Sequence, residues 1–537
     1  MLGALAALLP AGAAAQQSDA RQRTTETIVA DGLAQLPAAD AKVFNQVMGE
    51  LAATGSKGVE MIAAMLVPAD KGKNATFEYA LNGVVAYVTD PAHEALRDDV
   101  RKGLLAAIDR CGDDANRAFL FSQLQFCSTA ADAAAMARYL DDPYLAGYAL
   151  RALVSTPGTE ALLLAEAGKD DLTAARKQAL AYAFAEKRLA AAEPFLLTWL
   201  EGADAQTAEQ IYNALAACGS QASLKPLAAA AAKTGYAWDD AGAADAYLRL
   251  LARLAAAGDA RAVKAAKGLL KCDLQYIRGG ALAILADALG VQKAMPYVLK
   301  ALEEGPAEYR FAALQSLGKG DDKLFAQVAA GMPRYDAAAQ AAVIGWLGEC
   351  GAVSQADVIT AAVASPDGCV AEAAIAASGR IGGEKALRAL AGALEGPHAG
   401  AAMKALLAFN GQINPEVGRL LAQDDAAALV PALKLAAARR MSAAADRVFA
   451  LLGSSDAEVR AAAYGALPFV AQPQHMDRLS ALLDASDEAH TAAIQSALIR
   501  TSGQLPADRR YGAVAGYMKA SETPARYYCL LYTSPSP

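Results

Sequence analysis

Large side chains are scarce in this chain. Phe, Tyr and Trp together make up 6% of its 537 residues, although hydrophobic residues as a class reach 55%. The difference is alanine, in runs such as Ala228 to Ala232 and Ala436 to Ala438. A fully buried large side chain contributes roughly 1.5–3 kcal/mol and an alanine far less, so stability must be summed over many small contacts. Alanine is also the best helix former and lets helices approach closely. The chain is too long for one compact core. Little bulk and much alanine over this length predict a long all-α assembly.

Other absences exclude functions. Lys and Arg number 49 against 57 acids, net charge −8, and they are scattered. Without a basic stripe to displace phosphate counterions, no nucleic-acid partner is expected. No run approaches the roughly 18 apolar residues of a membrane-spanning helix, so no span is expected. The seven cysteines, Cys111, Cys127, Cys218, Cys272, Cys350, Cys369 and Cys529, form no C-x-x-C and have neither zinc-ligand nor disulfide-framework spacing. They read as fillers of small pockets between helices. In an oxidising compartment Cys111/Cys127 or Cys350/Cys369 are near enough in sequence to pair.

Catalytic patterns are missing too. Only four histidines occur, and His93-Glu94 has Arg97 where a zinc-binding H-E-x-x-H needs its second histidine. Gly379 to Lys385 is glycine-rich but follows a helix and lacks the G-K-[ST] ending of a phosphate cradle. There is no G-x-S-x-G elbow and no strand pattern to carry one. Acid pairs such as Asp98-Asp99 and Asp321-Asp322 recur between helices, where they read as caps. No catalytic, metal-binding or cofactor-binding residue is assigned, and no cofactor is expected.

What is present begins with a leader. Leu2 to Leu9 is apolar, and Pro10-Ala11-Gly12 and Ala13 to Ala15 follow it before Gln16. This is the h-region and small-residue cleavage site of an export signal over residues 1–15, without the usual basic start. A periplasmic or secreted location is expected.

The strongest feature is a repeat. Ala/Leu-rich segments end at Gly290, Gly318, Gly348, Gly379 and Gly411, at intervals of 28, 30, 31 and 32 residues. Glycine just past a helix is the usual left-handed stop, and each is followed by a second apolar segment such as Gln292 to Leu302. The turns carry cap chemistry, as in Ser454-Ser455-Asp456 before Ala457 and Asp141-Asp142-Pro143 before Tyr144. Upstream, Gly219 and Gly258 stand 39 apart, which marks an insertion around Thr234 to Asp240. Two-helix units with a period of about 30 residues must stack to bury their apolar faces.

Within the units, Ile277-Arg278-Gly279-Gly280-Ala281-Leu282, Tyr309-Arg310-Phe311-Ala312-Ala313-Leu314 and Val459-Arg460-Ala461-Ala462-Ala463 share a bulky residue, an Arg and then small residues. This resembles the HEAT-repeat family, in particular its short bacterial, lyase-like variants. The likeness covers Ala131 to Ser502 clearly and Asp31 to Ala130 weakly, although units such as Ala338 to Gly348 lack the Arg. It implies an all-α, right-handed α-solenoid of antiparallel helix pairs. By the same resemblance Arg278, Arg310 and Arg460 would form a polar ladder between units, with acids such as Asp273 and Asp456. A row of ligand-binding arginines is the other reading. The organisation expected is a leader (1–15), a helical region of degenerate repeats (16–130) and a solenoid (131–528).

For function the resemblance implies an exported scaffold with a protein or glycan partner on a concave face and no catalysis of its own. The alternative is the non-catalytic front of a larger exported carbohydrate-active enzyme, similar to arrays that precede a keto-disaccharide hydrolase jelly roll. Tyr236, Trp238 and Tyr247 gather at the longest insertion and are candidate partner contacts. They could equally plug gaps between alanine-thin helices. Finally, Cys529 to Pro537 lacks helical period and capping logic, and it matches one reading frame of a widely used transposase-based sequencing adapter. Residues 529–537 are therefore expected to be foreign to the natural protein, which would continue beyond Tyr528.

Overall fold

The computed structural model describes residues 23–68, 70–485 and 488–519. The expected leader and residues 529–537 lie outside them. Among the described residues there are 31 α-helices, ten short 3-10 turns and no strand, so the all-α expectation holds. The chain forms two compact units, Met1–Leu269 and Leu270–Pro537.

In the first unit the main packing is between each longer helix and the corresponding helix of the next pair. Gly55–Ala63 lies against Arg97–Arg110, Ala174–Glu186 against Ala205–Cys218, and the latter against Ala243–Ala256. Side-chain caps start these helices: Asp113 accepts from the Asn116 N–H at 2.9 Å, Thr173 from Arg176 at 3.1 Å and Asp204 from Thr207 at 2.7 Å. Each satisfies one of the donors that a helix start leaves unpaired.

In the second unit the helices ending near the repeated glycines and the three corresponding helices that follow form one continuous row. In order they are Gln275–Leu289, Ala307–Gln315, Ala337–Glu349, Gly368–Ile381, Ala399–Leu407, Ala426–Ala438, Ala457–Val470 and Glu488–Gly503. Shorter partners such as Val291–Glu304 and Gly383–Gly392 form the other half of each pair. Ala281 and Ala313 are fully buried in the row. Asp456 caps Ala457–Val470 through the N–H groups of Glu458 and Val459 at 2.8 and 3.0 Å.

Two of the expected stop glycines do something else. Gly290 (φ +81°) and Gly318 (φ +63°) end their helices as expected. Gly348 and Gly379, however, lie inside their helices and are buried. A Cβ on Gly348 would stand 2.6 Å from Ala377 Cβ and 2.7 Å from its Cα; one on Gly379 would stand 3.2 Å from Ala405 Cβ. These glycines are contact points where neighbouring helices of the row nearly touch backbones. The stops come three residues later, at Gly351 (φ +68°) and Gly382 (φ +67°). At the first, Ala352 N–H donates to Leu347 O at 2.9 Å, the bond that closes a Schellman turn.

Candidate functional site

The three signature arginines take three different roles. Arg310 is buried and donates two bonds to Asp336, Nη1 to Oδ1 at 2.9 Å and Nη2 to Oδ2 at 2.6 Å. Asp336 also caps the next helix of the row through Ala339 N–H at 2.8 Å. The Arg310 hydrogen bond, ahead of that cap, holds the carboxyl below its ordinary value. Arg278 lies over the Tyr309 ring, 4.0 Å from its centroid, and donates to Gln275 at 3.2 Å. Arg460 turns back to the Ser454 carbonyl of its own unit at 2.7 Å. Asp456, expected opposite these arginines, is spent on its helix cap, and Asp273 offers its backbone carbonyl to Gln275 at 2.9 Å.

Other cations link the units, and sequence reading keyed on the Arg-small pattern passed over them. Lys187 donates to Thr156 O at 2.9 Å, Arg253 to the carbonyls of Ala216 and Gly219, and Arg439 to those of Leu406 and Phe409 at 3.1 and 3.0 Å. In each case a cation near the end of one helix satisfies carbonyls left open at the end of the corresponding helix before it. The signal was present in Lys187-Arg188-Leu189 and Arg439-Arg440-Met441. In both, the Arg after the bonding cation, Arg188 or Arg440, takes the left-handed stop (φ +49° and +50°) usually left to glycine. In the first unit, buried Arg101 grips buried Asp132, whose other oxygen accepts from Thr129 N–H at 2.8 Å.

The insertion is an ordered loop. After Leu224–Lys233 the chain closes with Tyr236 N–H donating to Ala231 O at 2.8 Å and Gly235 N–H to Ala232 O at 3.1 Å. Tyr236 sits at φ +65°, a conformation that costs a non-glycine residue on the order of 1 kcal/mol. Thr234 Oγ1 donates to Ala231 O and Ala237 O at 3.2 and 3.1 Å, and Asp239 accepts from Ala241 N–H at 2.9 Å. The loop thus holds Trp238 outward, 82% exposed. Trp199 and Trp346, by contrast, are buried. Tyr247 does not join Trp238 at the surface. It lies on the core face of Ala243–Ala256 with Leu250 and Leu254, and burial pushes its phenol up to about 12. Tyr236 is half-buried. Of the three expected contacts, Trp238 alone presents its whole ring. Tyr144, 51% exposed, stacks on Tyr148 with centroids 6.2 Å apart elsewhere in this unit.

The grooves are shallow and their charges largely local. One of about 770 Å³, lined by Leu387, Phe409 and Pro415, carries the pairs Glu384–Arg388 and Glu416–Arg419. Two others open between helices of the row in the second unit. The first, about 380 Å³, is lined by Ala376, Arg380, Lys404 and Ala408. The second, about 480 Å³, is lined by Lys434, Ala438, Arg440, Gly465 and Phe469. The Gly379 to Lys385 stretch packs onto its neighbour, since a Cβ on Gly382 would overlap the Asn410 carbonyl. His93 stacks on Tyr87 at 3.8 Å and bonds to the Tyr87 carbonyl. Among the described residues there is no metal-holding group of His, Cys, Asp and Glu, and no helix long and apolar enough to cross a membrane. The six described cysteines are unpaired, and burial pushes the Cys127 thiol up to about 12.

No family model matches the chain, and no curated protein matches it. Among solved structures it is similar to Kap121p bound to Ste12p (14% identity, 93% of this chain and 60% of that one, TM-score 0.38). It is also similar to Kap121p bound to the SUMO protease Ulp1p (11% identity, 98% and 77%, TM-score 0.37). A third likeness is to importin beta (11% identity, 95% and 76%, TM-score 0.34). In a further Kap121p structure the match takes in 91% of this chain but only 58% of that one, so the chain spans less than two thirds of its length.

Proposed function

We propose that this chain is a HEAT-like repeat scaffold that binds a protein or glycan partner and carries no catalysis of its own. The observation that carries this reading is Trp238: a rigid, braced loop interrupts the repeat and holds a large aromatic ring in solvent. Trp is, with Tyr and Arg, enriched among the hot spots of formed interfaces, and variable contacts concentrate on loops that a rigid array positions. A photo-reactive phenylalanine analogue at position 238, in the source cell, should give a discrete cross-linked species. The same analogue at Tyr182, an exposed position away from the loop, should not. Equal cross-linking at both positions, or none at 238, would refute the reading.

The same proposal places the protein outside the cytoplasm, on the strength of the Leu2 to Ala15 leader. Mass spectrometry of the mature chain should find an N-terminus at Gln16; an intact Met1 would remove the support for export.

A further inference from the structure

Two grooves of the second unit carry more cations than acids on a protein that is acidic as a whole. In the row of helices, Lys404 and Lys434 stand 30 residues apart, on the successive helices Ala399–Leu407 and Ala426–Ala438. Both are exposed. Arg380 shares with Lys404 the groove between Gly368–Ile381 and Ala399–Leu407, and Arg440 shares with Lys434 the groove between Ala426–Ala438 and Ala457–Val470, the next but one along the row. Among the described residues Lys404, Lys434 and Arg440 enter no ion pair, whereas the exposed Arg138, Lys385 and Arg478 do. Arg380 has one long contact, 3.9 Å to Glu349. The single acid in these grooves, Glu372, faces His398 at 3.5 Å. Ala376, Ala408, Ala438 and Gly465 make the floor between the cations, low enough for a backbone to lie on. Beyond them Phe469 lines the second groove with Arg500 over its ring at 4.5 Å.

We propose that this face binds an acidic polypeptide segment in an extended, polyproline-like conformation that runs across the row of helices, and this deepens the scaffold reading above. Packed helices stand about 8–10 Å apart. A polyproline II strand repeats every three residues at about 3.1 Å per residue, so every third side chain recurs on one face at about that same spacing. One carboxylate in three therefore meets one cation per repeat, and small residues between the carboxylates fit the shallow floor. A nucleic-acid strand fits less well, because the four cations are few and the grooves offer a single aromatic ring for stacking.

The test uses the whole protein and fluorescence anisotropy with a labelled peptide of Glu-Pro-Ala repeats. A peptide of the same composition with its glutamates in one block serves as control, together with a labelled oligothymidine. The repeat peptide should bind more tightly than the block peptide. The double variant K404E/K434E should weaken it by about tenfold or more, and raising salt from 50 to 300 mM should weaken it several-fold, as expected for exposed charge pairs. E384K/E416K, which alters the separate 770 Å³ groove, should leave it unchanged. The proposal is overturned if the repeat peptide does not bind, if K404E/K434E with an unchanged circular dichroism spectrum binds it normally, or if only oligothymidine binds. Cross-linking at Trp238 lies in the other unit, so failure here leaves the scaffold reading standing.

Discussion

Gly348→Leu should destabilise the second unit by about 3 kcal/mol, whereas Gly345→Ala, three residues earlier on the same helix, should stabilise it by about 0.5–1 kcal/mol. Both positions lie within Ala337–Glu349. A Cβ at 345 meets nothing within 4 Å, so alanine there only lowers the entropy of the unfolded chain. At 348 the same atom lands on Ala377, including its backbone Cα. A backbone atom cannot rotate away, so relief requires Gly368–Ile381 to move, and that helix is itself held by Ala399–Leu407 through Gly379. The strain should therefore appear as faster amide hydrogen exchange over both flanking helices. Urea unfolding of the pair of variants checks the signs. Equal and small effects would show that the row is not packed through these glycines.

Arg101→Met should cost the first unit about 3 kcal/mol, and Asp132→Asn added to it should restore part of the loss. Arg101 is 8% and Asp132 4% exposed. Removing one member of a buried pair strands the other charge, at about 3–5 kcal/mol in general. The lower end applies because Asp132 keeps its bonds from the Thr129 N–H and hydroxyl, at 2.8 and 3.1 Å. Methionine fills the volume of the arginine stem, which separates the charge effect from a cavity. In the double variant the side chain at 132 is neutral and the stranded charge is gone. If the two substitutions simply add, the pair contributes no coupling and the geometry has been misread.

How far the sequence revealed this arrangement differs by kind of residue. Caps were legible: Asp456 and Asp142 sit where their side chains reach the N–H groups two and three residues on, because that chemistry is local. The glycines were half legible. Gly290 and Gly348 follow the same Leu-Gly pattern, yet one supplies a left-handed turn and the other a missing side chain. The deciding fact, Ala377 on the neighbouring helix, is far away in sequence. Of the two readings open for the aromatics, Tyr247 takes the gap-filling one: its helix turns it inward beside Leu250, whereas nine residues earlier the loop turns Trp238 out. The arginines were least legible. Arg253 and Arg439 bind backbone carbonyls; Arg439 is betrayed only by the Arg-Arg pair at its helix end, and Arg253 has no such mark.

Those carbonyl bonds run one way along the chain. Lys187 serves Thr156, Arg253 serves Ala216, Arg439 serves Leu406 and Arg447 serves Leu421 at 2.7 Å. The donor is always the later residue. These four helix ends are thus finished by a unit that has not yet been made when they leave the ribosome. At these places the repeat is open at its carbonyl end during synthesis, and closure follows one repeat behind. Loss of repeats from the two ends is accordingly unequal. A cut from the front removes carbonyls and leaves a cation free to turn to water. A cut from the rear strips the donor from carbonyls that stay partly covered, so damage at that end travels inward.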